Sequence, residues 1–158
     1  MNDKKQLPLR IGVGIILLNR ENKVFVGKRI DNPKNFWQMP QGGINQNENF
    51  LRAAKRELAE ETGIKSIELV KELSGWLEYN LPENLLGKVL EGKYRGQKQK
   101  WFIMKFVGKY DEINVKTKNP EFLDWKWIDI SSLPIIAVDF KVELYKKLKE
   151  ELNFLSLN

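Results

Sequence analysis

The stretch Gly42-Gly43-Ile44-Asn45-Gln46-Asn47-Glu48, with Arg56-Glu57-Leu58-Ala59-Glu60-Glu61-Thr62-Gly63-Ile64 following it, decides how the chain is read. Glu57, Glu60 and Glu61 stand at spacings of three and four, so a helix carries all three carboxylates on one face. Like charges so placed destabilise a helix by about 0.2–0.5 kcal/mol per pair, and a purely structural helix gains nothing from them. A divalent cation reverses that balance, because hard cations such as Mg2+ take oxygen ligands from a few carboxylates, water and substrate phosphates. Leu51, Ala54 and Leu58 form an apolar stripe and Gly63 is a natural stop, so the spacing predicts a helix from about Asn47 to Thr62. An amphipathic surface helix with a solvated acidic face would explain that much. It gives no reason for the glycine pair, Glu48 or Arg56.

Composition narrows the chemistry. With 158 residues, 42% of them hydrophobic, residues 1–158 are expected to form one domain with a real core. No apolar run is long enough to span a bilayer, and the charged start Met1-Asn2-Asp3-Lys4-Lys5-Gln6 shows no signal-peptide pattern. The chain has no cysteine, which removes disulfides, thiolate zinc sites and cysteine nucleophiles and suits a cytoplasmic protein. It also has no histidine, which removes Ser-His and Cys-His pairs and His-ligated zinc. Carboxylates, amines, guanidinium groups or a metal must carry any reaction. The formal net charge of +6 around an acidic helix face suggests a metal site within an anion-binding surface.

Outward from the helix, Ile11 to Leu18 reads as a buried strand, Asn19 to Asn22 as a turn, and Lys23 to Arg29 as its hairpin partner. Gly12-x-Gly14 lies inside that strand and lacks a third glycine, so it is no nucleotide fingerprint. Phe36 to Pro40 is a short apolar segment ending in the turn Gln41-Gly42-Gly43. Ile67 to Tyr79 predicts one or two strands, Leu81 to Gly96 a long connection, Gln99 to Val107 and Phe122 to Ile128 further strands, and Phe140 to about Leu152 a closing helix. Strands on both sides of a central helix, with a second helix at the end, predict an α/β/α sandwich on a mixed sheet.

The order Gly-x5-Glu-x7-Arg-Glu-U-x-Glu-Glu-x-Gly-U, with U a bulky aliphatic residue, is filled at every fixed position from Gly42 to Ile64. It resembles the box of the Nudix hydrolases, whose members cut pyrophosphate bonds on a mixed α/β/α sandwich. The resemblance covers essentially the whole chain. It implies Glu57, Glu60 and Glu61 as metal ligands or general base, with Glu61 the first choice for the base. A backbone carbonyl at Gly42 is a further candidate ligand, and Arg56 and Glu48 would orient the carboxylates. The implied cofactor is Mg2+, with Mn2+ also serving, and no organic cofactor.

Segments outside the box narrow the resemblance. Phe36-Trp37-Gln38-Met39-Pro40-Gln41-Gly42-Gly43-Ile44, Gly96-Gln97-Lys98-Gln99-Lys100-Trp101-Phe102, Asn119-Pro120-Glu121-Phe122, Trp125-x-Trp127 and Phe140-Lys141 resemble the RNA pyrophosphohydrolase branch, which also includes dinucleoside polyphosphate hydrolases. That likeness implies Glu121 as a further metal ligand and Arg10, Arg29, Lys98 and Lys100 as phosphate contacts. Lys98 and Lys100 share one side of a strand. Phe140 and the Arg29 guanidinium could stack on a nucleobase. Taken alone, Glu121 is an exposed loop glutamate, Phe140 packs at a helix start, and Trp101, Trp125 and Trp127 are core. Ile11 replaces a usual proline, Asn45-Gln46-Asn47 replaces a Pro-Gly before Glu48, and no basic tail is expected after the last helix. The expected substrate is the 5′ end of triphosphorylated or diphosphorylated RNA, the alternative a dinucleoside polyphosphate. A third reading is a non-catalytic binding module, which intact glutamates argue against. No membrane contact is expected, and protein partners stay open.

Overall fold

The computed structural model describes residues 6–31 and 34–155, so the charged start read above lies almost wholly outside it. The strands are β1 (Leu9–Leu18), β2 (Val24–Arg29), β3 (Trp37–Gln38), β4 (Gln41–Gly43), β5 (Ile67–Glu72), β6 (Leu77–Asn80), β7 (Gly96–Phe106) and β8 (Phe122–Ile128). The helices are α1 (Phe50–Thr62), the short α2 (Leu133–Ile136) and α3 (Val142–Asn153). All eight strands form one mixed sheet. β1 runs parallel to β7 from Leu9↔Gly96 to Leu18↔Lys105, and the other pairings are antiparallel.

β1 and β2 meet at Leu18↔Val24 and then diverge. Residues 37–43 fill the wedge, β3 pairing with β2 and β4 with β1. The segment expected as a turn at Gln41-Gly42-Gly43 is therefore a short strand. Its alternation decides where the neighbouring side chains go.

Strand alternation also sorts the core into two layers. Val13, Ile15, Leu17, Phe102 and Met104 face Ala53, Ala54 and Leu58 of α1. Ile16, Leu18, Trp101 and Ile103 face Leu144, Tyr145, Leu148 and Leu152 of α3. Each fully buried aliphatic side chain contributes about 1.5–3 kcal/mol. The expected α/β/α sandwich is the fold. Gly12 and Gly14 sit inside β1, and a Cβ on Gly14 would lie 2.3 Å from the Trp101 ring, so packing explains that glycine.

Both helices start later than expected. Asn47 has φ 64°, outside the helical region, and the Asn49 side chain accepts from the Arg52 N–H, so α1 begins at Phe50. Phe140 lies in a 3-10 turn, Asp139–Lys141, ahead of α3. Ile67 to Tyr79 forms two strands. No helix among the described residues is long and apolar enough to cross a membrane.

Candidate active site

α1 brings Arg56 into the middle of the glutamates. Its Nε and Nη2 donate to Glu48 Oε2 and Oε1 at 2.8 and 3.0 Å, and Nη1 donates to Glu57 Oε1 at 2.8 Å. Nη1 also reaches Glu60 Oε2 at 3.2 Å, and Nη2 reaches the Gly43 carbonyl at 2.9 Å. All five N–H groups are engaged. Glu48 accepts in addition from the Asn45 N–H at 3.0 Å. The Arg56 hydrogen bonds, with that N–H, hold the Glu48 carboxyl down at about 2. Arg56 and Glu48, expected to orient the carboxylates, are thus joined to Glu57 and Glu60 in one hydrogen-bonded set.

Glu57 and Glu61 face inward. Burial pushes the Glu57 carboxyl up, partly offset by Arg56. Glu61 is 5% exposed, and its Oε2 has no hydrogen-bond partner. Burial raises Glu61 well above the usual carboxylate range, with the nearby charges of Glu57 and Glu121 adding to the rise. The Gln41 N–H donates to its carboxylate. Glu60 is 59% exposed. Glu121 is half-exposed just before β8, with Oε2 3.6 Å from Arg29 Nη2.

The glycine pair of β4 serves both faces of the sheet. A Cβ on Gly42 would lie 2.0 Å from Glu57 Cδ, and one on Gly43 would lie 2.3 Å from Arg10 Nη2. Only glycine lets the Glu57 carboxylate and the Arg10 guanidinium close on the backbone from opposite sides. The Gly42 carbonyl oxygen lies against Gly12 of β1, 2.5 Å from where a Cβ would stand. Gly42, expected as a ligand through its carbonyl, also makes room for the Glu57 carboxylate.

On the α3 face a cavity of about 750 Å³ opens beside the wedge, and Arg29, Asp31, Tyr79, Phe140 and Lys141 are among its lining residues. A nucleotide-sized ligand fits a cavity of this size. Phe140 packs on Tyr79 with ring centroids 5.7 Å apart, so it serves both as packing and as cavity wall. Lys141 Nζ is buried and donates to Gln38 Oε1 at 3.0 Å and Gln41 Oε1 at 3.4 Å. Burial lowers its ammonium to about 7, and Arg29 adds to the drop. Behind it, Gln41 and Gln97 both donate to the Tyr79 hydroxyl, at 3.2 and 2.8 Å. Gln99 joins Gln41 to the Trp101 indole. None of this buried polar chain was singled out from sequence. The one available signal was glutamine recurring at every second position of an apolar strand.

Lys98 and Lys100 lie apart from the cavity. They pair with Ile11 and Val13, and so project on the α1 face. There both ammonium groups sit over the Trp76 ring, 4.6 and 4.7 Å from its centre, and Phe50 meets that ring edge-on. The expected set of phosphate contacts is therefore divided between two faces. Trp101 is fully buried, while Trp125 and Trp127 edge the α1-side core.

No three acidic side chains among the described residues are gathered closely enough to cage a metal, because Arg56 holds Glu57 and Glu60. The donor set nonetheless fits a hard cation. The Oε2 of Glu61 is a buried carboxyl oxygen with no hydrogen-bond partner, and the Glu57 carboxyl is close enough to act on it electrostatically. Mg2+ commonly takes only one or two protein carboxylates and completes its shell with water and phosphate.

A mixed sheet between two helices, with Glu61 buried near a strand wedge and a nucleotide-sized cavity close by, suits a hydrolase of phosphoric anhydrides. The NUDIX domain family matches residues 8–150, and the chain belongs to that family as one of its pyrophosphohydrolases, a class that generally uses divalent metal ions. It is 60% identical to the RNA pyrophosphohydrolase of Pelagibacter ubique (strain HTCC1062), over 96% of each chain. It is 47% identical to that of Bartonella clarridgeiae, over 94% of this chain and 92% of the relative. Among solved structures it resembles the E. coli dihydroneopterin triphosphate pyrophosphohydrolase, with a TM-score of 0.70 and 19% identity over 92% of this chain and 99% of the other. A C. elegans Ap4A hydrolase follows with a TM-score of 0.63 and 17% identity, over 91% and 99%.

Proposed function

We propose that this enzyme hydrolyses pyrophosphate bonds at the 5′ end of triphosphorylated or diphosphorylated RNA and leaves a 5′-monophosphate. The observation that carries the reading is the buried Glu61 carboxylate, with no partner at Oε2, acting on Arg29 at the wall of a nucleotide-sized cavity. The two relatives named RNA pyrophosphohydrolase support the choice of RNA. A bound divalent cation would neutralise phosphate charge and make its water more acidic. We assign Mg2+ to that role because every donor is a hard oxygen, with Mn2+ as a substitute. Glu57, Glu60, Glu61, Glu121 and the Gly42 carbonyl are the groups that would hold it.

Glu61 is assigned as the base that accepts the proton of the attacking water, through a carboxylate oxygen that the cation would leave free. Arg56 keeps Glu57 and Glu60 in register for this step. Arg10, closed over Gly43, would contact the polyphosphate, and Lys98 and Lys100 would meet phosphates from the α1 side. The cavity would take the nucleoside, with Phe140 as a stacking wall. A chain without cysteine suits the cytoplasm, where RNA is at hand.

A competition assay in Mg2+ tests the proposal. Triphosphorylated RNA oligomers, diadenosine polyphosphates, nucleoside triphosphates and a nucleotide sugar are presented together. RNA should be consumed first, with loss steepening as salt falls. Preferential loss of the diadenosine polyphosphates would replace RNA with the alternative substrate class.

A further inference from the structure

Arg29 is held at the edge of the cavity by a contact that no sequence motif marks. Its Nε donates to Asp31 Oδ1 and its Nη2 to Asp31 Oδ2, both at 2.7 Å. Nη2 also lies 3.6 Å from Glu121 Oε2. This is the two-point fork by which guanidinium groups grip carboxylates or phosphates. The edge of Arg29 best suited to chelate a phosphate is thus already matched to a carboxylate. A phosphate taking that edge would displace one anion and approach a second. Arg29 lines the cavity, and the parts of it that the fork leaves uncommitted are its flat face and the Nη1 end. A planar, uncharged base meets no such repulsion and gains from a stacking surface.

We propose that Asp31 is a positioning residue for substrate selection: it occupies the Arg29 fork, keeps phosphate off it, and presents the guanidinium face to the nucleobase in the cavity. The proposal rests on the reading that the cavity takes the nucleoside end of the substrate. Asp31 acts through Arg29 and does not touch the reacting phosphates. Its side chain is 62% exposed, so its replacement leaves the core intact.

The test compares wild type, D31A and D31E, each checked by thermal melting. The first probe is inorganic tripolyphosphate, its binding measured by calorimetry as well as by competitive inhibition. The second is a pair of triphosphorylated RNA oligomers, identical except that one lacks its base at the first or second nucleotide. Freed of Asp31, Arg29 should bind tripolyphosphate about tenfold more tightly. The KM advantage of base-bearing over abasic RNA should shrink about tenfold in D31A, and D31E should restore both values. The change should fall in KM rather than kcat. Equal tripolyphosphate inhibition of wild type and D31A, with the base preference intact, would reduce Asp31 to a surface ion pair and overturn the proposal. Weaker inhibition of D31A would overturn it as well. An enzyme that leaves RNA untouched defeats the substrate reading instead, while the tripolyphosphate arm still decides whether Asp31 shields Arg29.

Discussion

Arg56 lies among three glutamates and a carbonyl with no N–H left over, whereas Arg29 gives its fork to one exposed aspartate and lines a cavity. The first arginine is fixed from every side by α1, β4 and the loop before the helix. The second is fixed at one edge only. The contrast separates two tasks that polyphosphate hydrolysis needs. Carboxylates around Arg56 must be in register before substrate arrives, because small displacements cost rate. The cavity around Arg29 must adapt to a ligand, and half-exposed groups do that at little cost in stability.

Breaking the Arg56 side should cost the most. Glu61→Gln should melt like wild type and lose about 10²–10⁴-fold in kcat, measured in Mg2+ by release of phosphate or pyrophosphate. A near wild-type kcat would remove Glu61 from the chemistry. Arg56→Ala should lower kcat about 10–100-fold with a smaller change in KM, since it releases Glu48, Glu57 and Glu60 together.

The glycine pair sharpens the comparison within two adjacent residues. Gly42→Ala forces the Glu57 carboxylate away, and Gly43→Ala forces the Arg10 guanidinium away. Steady-state kinetics should show Gly42→Ala mainly in kcat and Gly43→Ala mainly in KM, each destabilised by about 1–3 kcal/mol. Equal kcat losses would mean that Arg10 and Glu57 serve one step.

A smaller effect should appear in the pH dependence of stability. Glu48 is held at about 2, below the ordinary glutamate value of 4.5, so its stabilising contribution is present above 4.5 and is lost as pH falls through about 2. Urea denaturation should find Glu48→Gln less stable than wild type at neutral pH, with the gap closing towards pH 2. A constant gap would deny the Arg56 pairing. The smallest change is expected for Lys98→Ala and Lys100→Ala, about two- to threefold in KM at low salt and less at high salt. A tenfold loss in kcat would move these lysines into the reaction itself.

Much of this was legible in the chain because helix spacing is local. Glu57, Glu60, Glu61 and Arg56 share one face by arithmetic alone, and Gly63 ends the helix at φ 75°. The start of α1 was read three residues early because Asn49, rather than the polar residues before it, supplies the cap. Alternation showed that Lys98 and Lys100 share a side, but which side depends on the pairing of β1 with β7, a contact nearly ninety residues apart in sequence. Asp31 follows Arg29 by two residues in a segment with no pattern, and only the folded turn shows the fork. The Gln41–Gln99–Tyr79 chain stayed hidden because polar residues in a strand read as solvent-facing until their partners are known.

The central claim is that Glu61, beside the glutamates held by Arg56, activates the water that cuts the phosphoric anhydride of an RNA 5′ end. Single-turnover reaction of RNA labelled at its terminal phosphate, with wild type and Glu61→Gln side by side in Mg2+, tests it most directly. Wild type should release the label and leave a monophosphorylated end, while the folded variant releases almost none. Equal release by the two proteins, or an RNA that keeps its label while dinucleoside polyphosphates are consumed, would contradict the account.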